Sequence, residues 1–238
     1  MICSKPIRRF VRQRSDTLDL FDIIGPVMIG PSSSHTAGAA RIGLTARMLL
    51  GQEVAGADIG LHGSFAQTGK GHGTDRAIVG GLLGMAVDDP RLRCSLELAR
   101  EAGMSFVIHP VQLRNAHPNT AVLSLTGREG AKLTVQAVSV GGGNIRIVRL
   151  DGLDVDFSGK ENTLIVHHQD VPGLIASVAG CLADHHRNIA TMQVFRRSAG
   201  GEAVMVLELD AALPQTLLAY INSLPDVRQA IFLAGRKS

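Results

Sequence analysis

Residues 164–182 read LIVHHQDVPGLIASVAGCL, and this stretch decides the fold of the C-terminal part of the chain. It opens as an apolar, β-branched strand, Leu164–His168, and breaks at Gln169-Asp170-Val171-Pro172-Gly173. Apolar residues then recur at Leu174, Ile175, Val178, Ala179 and Leu182, the spacing of one helix face. Asn188 supplies the expected stop. Ile189–Arg197 and Glu202–Asp210 read as strands joined by Ser198-Ala199-Gly200-Gly201, Leu213–Leu224 as a second helix, and Val227–Leu233 as a last strand. The order β-α-β-β-α-β is the split βαβ of ferredoxin-like folds.

Upstream the chain is richer in glycine and less regular, with a break near Leu150–Asn162. This predicts a basic arm over 1–16, a first domain over 17–158 and a second over 162–236. In the first domain, Leu18–Ile24 reads as a short helix. Thr36 or Ala37 to Leu50 is a longer one stopped by Gly51, and Thr74–Met85 a third, with Gly73 or Thr74 at its cap. Ala57–His62, Ser105–His109, Ala121–Thr126, Lys132–Val140 and Ile145–Leu150 read as strands. The class is α+β.

Composition narrows the function. Aromatic residues make up 3% of 238 residues, with no Trp and one Tyr, Tyr220, which argues against nucleic-acid modules that stack bases on aromatic platforms. The longest apolar run, about Ala77–Val87, is far short of the ~20 residues that span a bilayer, so a soluble protein is expected, with no membrane partner. The net charge is +3, but Lys5, Arg8, Arg9, Arg12 and Arg14 carry five positive charges and leave −2 for the rest. The arm reads as a solvated terminus, and its arginine-rich, acid-poor pattern also fits a transit peptide. Three cysteines, Cys3, Cys94 and Cys181, lie far apart without a CxxC pair. That predicts a reducing cytoplasm rather than a disulfide framework, and no cysteine cluster for zinc or iron–sulfur on this chain.

Four polar clusters interrupt the apolar pattern. Gly30-Pro31-Ser32-Ser33-Ser34-His35-Thr36 places hydroxyls and an imidazole before a helix, fitting either an anion site or an N-cap with spare serines. The second runs from Gly63 to Asp75, GSFAQTGKGHGTD. It is not a Walker A loop: five residues separate Gly63 from Gly69, and Gly71 follows Lys70. It reads as a mobile glycine-flanked loop presenting His72, with Lys70 beside it and Asp75 three residues on. A histidine with little cover can act as a general base near neutral pH. The third cluster is His117-Pro118-Asn119-Thr120 at a strand entry. The fourth is Ser139-Val140-Gly141-Gly142-Gly143-Asn144, where the glycines form a tight turn or a backbone surface open to a ligand. The doublets His167-His168 and His185-His186 have no metal spacing and read as surface features.

The segments FDIIGPVMIGPSSSHTAGAARIG (Phe21–Gly43), GKGHGTDRAIVGGLLG (Gly69–Gly84), HPNTA (His117–Ala121) and SVGGGNI (Ser139–Ile145) closely resemble the β subunit of bacterial iron–sulfur L-serine dehydratase (L-serine ammonia-lyase). The likeness covers nearly all of the chain after Asp16. Asp170-Val171-Pro172-Gly173-Leu174 within the βαββαβ unit resembles an ACT domain. The first domain is also similar to the allosteric substrate-binding domain of some phosphoglycerate dehydrogenases. The resemblance implies deamination of L-serine to pyruvate and ammonia by a heteromer. Its [4Fe-4S] cluster is bound by cysteines of a separate α subunit, and the family admits a potassium ion. It implies His72 as the base, and Ser32, Ser33, Ser34, His35 and Thr36 lining the substrate pocket. Lys70, Thr74, Asp75, Asn119, Gly141, Gly142 and Gly143 are expected as further walls. Asp170, Pro172, Gly173 and Leu174 are expected at a regulatory ligand site or, equally, in a plain turn of a domain that only pairs with a second copy. The rival reading is a non-catalytic serine sensor that regulates a partner enzyme.

Overall fold

The structure, a computed structural model, describes residues 32–235. The basic arm, Cys3, the helix expected at Leu18–Ile24 and the segment up to Pro31 lie outside the described residues.

A π-helical turn, Ser33–Gly38, runs straight into helix α1, Ala39–Leu50, so the helix expected from Thr36 is entered one turn early. Gly51 closes it with φ 70°, a left-handed residue where glycine carries no Cβ penalty. Strand β1 (Val54–His62) follows, then helices α2 (Ser64–His72) and α3 (Thr74–Leu82). A 3-10 turn, Pro90–Cys94, and helix α4, Ser95–Glu101, join them to strand β2, Ser105–Val111. Neither the turn nor α4 belongs to the elements expected from the sequence.

Strands β3 (Thr120–Gly127), β4 (Lys132–Gly141), β5 (Asn144–Leu150) and β6 (Leu153–Phe157) complete a six-stranded sheet in the order β2-β1-β3-β4-β5-β6. β1 and β2 are parallel, with the helices as crossover, and the remaining pairs are antiparallel. β6 is an addition to the expected strands: Leu153, Val155 and Phe157 point inward while Asp154 and Asp156 pair with Arg149 and Arg146 of β5.

α1 and α3 cover this sheet and touch backbone to backbone. A Cβ at Gly43 would lie 2.1 Å from the Ile78 carbonyl oxygen, and one at Gly81 would lie 2.1 Å from that of Ala40. Larger residues would force the helices apart and open the core they share with Ile59, Leu123 and Ile147.

The C-terminal elements follow the expected order: β7 (Asn162–Gln169), helix α5 (Leu174–Asp184), β8 (Ile189–Arg196), β9 (Glu202–Leu209), helix α6 (Gln215–Asn222) and β10 (Val227–Leu233). The sheet order is β10-β7-β9-β8, all antiparallel. α5 stops before Asn188, with His186 in the left-handed region at φ 54°. One face of this sheet packs on α5 and α6 through Leu164, Val166, Val178 and Leu217. The other contributes Ile165, Val204, Val206, Ile231 and Leu233 to the core of the six-stranded sheet. The α+β class is as expected.

The reading of His167-His168 as surface is overturned. His168 is 2% exposed and His167 is largely enclosed, because β7 is a central strand covered on both faces. His185 and His186 are exposed, as expected. Among the described residues no helix is long and apolar enough to cross a membrane.

Candidate functional site

Four segments that are remote in sequence meet at the π turn. Ser32 caps that turn: its Oγ accepts the backbone N–H of His35 at 3.1 Å and lies 3.3 Å from His35 Nδ1. The other ring nitrogen, Nε2, is 3.0 Å from Ser64 Oγ at the start of α2. Thr36 Oγ1 donates to the carbonyl of His72 at 3.1 Å, tying down the C-terminal end of α2. Ser139, at the end of β4, donates its hydroxyl to the Ser34 carbonyl at 3.0 Å. Its own N–H goes to the Asn119 carbonyl at 3.0 Å. Arg41 of α1 donates to the carbonyl of Gly143. Gly38 completes the seam, since a Cβ there would lie 2.1 Å from Ser139 Oγ.

The expectation of a mobile loop over Gly63–Gly73 is corrected. Ser64–His72 is helical, bounded by Gly63 at φ 56° and Gly73 at φ 71°. Glycine in a helix costs up to about 1 kcal/mol relative to alanine, and Gly69 and Gly71 made a loop the natural reading. Tertiary packing outweighs that cost. Phe65 is fully buried, and its N–H reaches the Pro118 carbonyl at 3.4 Å. The HPNT segment thus acts as a clamp on α2, and Asn119 is placed there by its backbone bonds to Ser139 and to His117 Nδ1.

His72 is accordingly half-buried rather than uncovered. Its ring stands edge-on to that of His35, with centroids 5.0 Å apart and planes at 67°, and Phe65 flanks His35 at 5.3 Å. His72 Nδ1 is buried without a hydrogen-bond partner, as is Oγ1 of the fully buried Thr74. An unpaired buried nitrogen costs about 1–3 kcal/mol. Burial lowers the pKa of His35, the neighbouring His72 lowers it further, and the nearby Ser64 backbone opposes both.

Of the expected site residues, Ser32, Ser33, Ser34, His35, Thr36 and His72 are brought together. Gly141, Gly142 and Gly143 form the β4–β5 turn, all with positive φ, and reach the site through Arg41. Lys70 lies within α2. Asp75 goes elsewhere: its carboxylate accepts the N–H of Arg76 at 2.8 Å. It lines a separate, mostly apolar cavity of about 310 Å³ with Leu61, Phe65, Phe106 and His109. Ser64 is the functional residue that sequence reasoning missed. It lies inside the glycine-rich motif, but its partner stands 29 residues earlier.

At the second expected site, Asp170 accepts from Arg196 Nη1 at 2.8 Å and from the Gly200 N–H at 3.1 Å. These bonds hold its carboxyl below the usual carboxylate range. The carboxylate thus ties the β7–α5 turn to the β8–β9 hairpin. Gly173, at φ 92°, starts α5, Leu174 anchors it in the core, and Pro172 is exposed.

Among the described residues no group of three or more His, Cys, Asp and Glu side chains could hold a metal ion. Cys94 is exposed, Cys181 is half-buried, and both are free. The described part of this chain therefore does not provide the donor set of an iron–sulfur cluster.

Residues 16–97 match the family model described as serine dehydratase beta chain, and residues 162–226 match that of the ACT domain. The chain is 42% identical to the probable L-serine dehydratase, beta chain, of Bacillus subtilis, over 90% of this chain and 97% of that one. It is 36% identical to the L-serine dehydratase, beta chain, of Peptoniphilus asaccharolyticus, over 84% of this chain and 91% of that one. A D-3-phosphoglycerate dehydrogenase of Bacillus subtilis is 33% identical over 55% of this chain and 25% of its own length.

Proposed function

Because the chain belongs to the serine dehydratase β-chain family and carries an ACT domain, we propose that it is the histidine-bearing half of a two-chain enzyme that deaminates L-serine to pyruvate and ammonia. The observation that carries this reading is the meeting of His35 and His72 with the serines of the π turn and Ser64.

The chemistry asks two things of this surface. The α-proton of serine is weakly acidic and needs a base held at its carbon, which is the role assigned to His72. The substrate carboxylate needs neutral donors, a role assigned to the hydroxyls of Ser33 and Ser34. When the α-proton moves to His72 and is passed on to the departing β-hydroxyl, water and 2-aminoacrylate form. The latter tautomerises to the imine, and hydrolysis releases pyruvate and ammonium. The [4Fe-4S] cluster belongs, on this reading, to a separate cysteine-bearing α subunit, and no step here is drawn through it. The free cysteines support work in a reducing cytoplasm.

The ACT sheet offers a second contact. β8 is an edge strand with Met192 36% and Val194 37% exposed, which supports side-by-side pairing with a second copy. The similarity to D-3-phosphoglycerate dehydrogenases favours the rival reading, a serine sensor using the same pocket. Anaerobic turnover of L-serine, followed as pyruvate, separates them. Activity in the mixture with the α subunit, and none with this chain alone, supports the split enzyme. Serine binding by this chain with an inactive mixture supports the sensor.

A further inference from the structure

We propose that Ser64 is a positioning residue, whose hydroxyl acts with that of Ser32 to hold the His35 imidazole in one tautomer, with the proton on Nε2, against the ring of His72. The catalytic consequence rests on the function proposed above; the tautomer itself does not.

The argument starts from the two serines that flank one ring. Ser32 Oγ already receives the His35 backbone N–H at 3.1 Å, and it stands 3.3 Å from Nδ1. A hydroxyl oxygen that accepts an amide proton still has its own proton to give, and Nδ1 at 3.3 Å is an acceptor within reach. A neutral imidazole has one donor and one acceptor nitrogen. With Nδ1 accepting, Nε2 carries the hydrogen and donates it to Ser64 Oγ at 3.0 Å. Which nitrogen is protonated is set by the hydrogen bond that the other one makes.

Ser64 is fit for this work because its backbone is fixed from several directions. It is the first residue of α2, its carbonyl receives Thr68 Oγ1 at 2.9 Å, and the next residue, Phe65, is fully buried. Precision at a site comes from groups that are themselves locked by packing and hydrogen bonds. Without the hydroxyl, the 3.3 Å contact of Ser32 with Nδ1 is left alone to hold the ring, and a half-turn that exchanges a nitrogen for a carbon at both positions becomes accessible. The ring edge meeting His72 would then present two different sets of charges.

The accepting hydroxyl also becomes the better donor. A Ser64 oxygen that receives Nε2–H keeps one proton, and chained hydrogen bonds strengthen one another. That proton is free for an anionic group in the pocket.

The test uses the full chain with 15N-labelled histidine, comparing wild type, Ser64→Ala and Ser64→Thr by long-range proton–nitrogen spectra. Wild type is expected to show His35 as the Nε2–H tautomer, Ser64→Ala a mixture of tautomers at an unchanged melting temperature, and Ser64→Thr the wild-type pattern. In the complex with the α subunit, Ser64→Ala should lower kcat about 10- to 100-fold, the usual cost of losing a group that orients a histidine. KM should shift by less than about twofold, and Ser64→Thr should restore much of the loss. A single Nε2–H tautomer in Ser64→Ala, or an Nδ1–H tautomer in wild type, overturns the proposal. If the wild-type complex does not turn over serine, the functional reading falls, and the spectra still decide Ser64.

Discussion

His35 and His72 stand ring to ring at 5.0 Å, and a side-chain bond ties their backbones together: the Thr36 hydroxyl, next to the first, donates to the carbonyl of the second at 3.1 Å. The two imidazoles are thus held by adjacent points of one seam. Replacing His72 by Asn removes the proton acceptor without removing that bond to its carbonyl. Turnover by the complex should fall about 10²- to 10⁴-fold, the usual worth of a general base, while association with the α subunit stays intact. Pyruvate formation and co-elution, measured on the same sample, check both halves.

Gly38 and Ser139 lock the π turn to β4. Gly38→Ala pushes a methyl group onto Ser139 Oγ, and the expected loss is about 1–3 kcal/mol together with most of the activity. Adding Ser139→Gly to that variant removes the obstructing atoms and should restore part of the stability. Chemical denaturation of the single and double variants measures it.

Phe65 is the anchor that makes a helix of a glycine-rich segment. Phe65→Ala should cost about 3–5 kcal/mol and release α2. Hydrogen exchange at Ala66–Gly69 should speed up more than exchange in β7–β10.

Acid should loosen the contact between the two sheets. Burial holds the pKa of His167 below its ordinary value, with Arg228 and His168 adding to that effect and Asp151 and Glu202 opposing it. The unfolded chain takes up this proton below about pH 6.5, while the folded chain resists until a lower pH. Folding stability therefore falls as the pH drops through that window. Between about pH 7.5 and 5.5, His167→Gln should lose less melting temperature than wild type. His35 is shifted the same way and contributes equally to both proteins.

If β8 pairs two copies, Val194→Lys places a charge in the seam and should dissociate the dimer. Light scattering then reports one chain mass instead of two, with the circular dichroism unchanged.

The ACT half was legible because its signals are local: apolar periodicity in α5, a Pro-Gly turn before it, and short strands set apart by turn residues. The first half was legible as motifs and not as structure. Gly69 and Gly71 pointed to a loop, since helix propensity is a local quantity and the burial of Phe65 beneath Pro118 is not. His168 failed as a surface residue for a related reason. Its burial follows from β7 taking the centre of the sheet, and strand order is not written in β7. Ser64 illustrates the limit most sharply: a serine after a glycine has no distinguishing pattern until the π turn delivers His35 to it.

The C-terminal sheet and α1 share one hydrophobic core, with Ile231 and Leu233 of β10 lying in it beside Leu49 and Leu50. α1 continues without interruption into the turn that bears His35. The helix therefore has its C-terminal end seated in the core under the ACT sheet and its N-terminal end joined to the turn that carries the imidazole. Packing under the ACT sheet and the position of the His35 turn are thus two ends of one continuous stretch of chain.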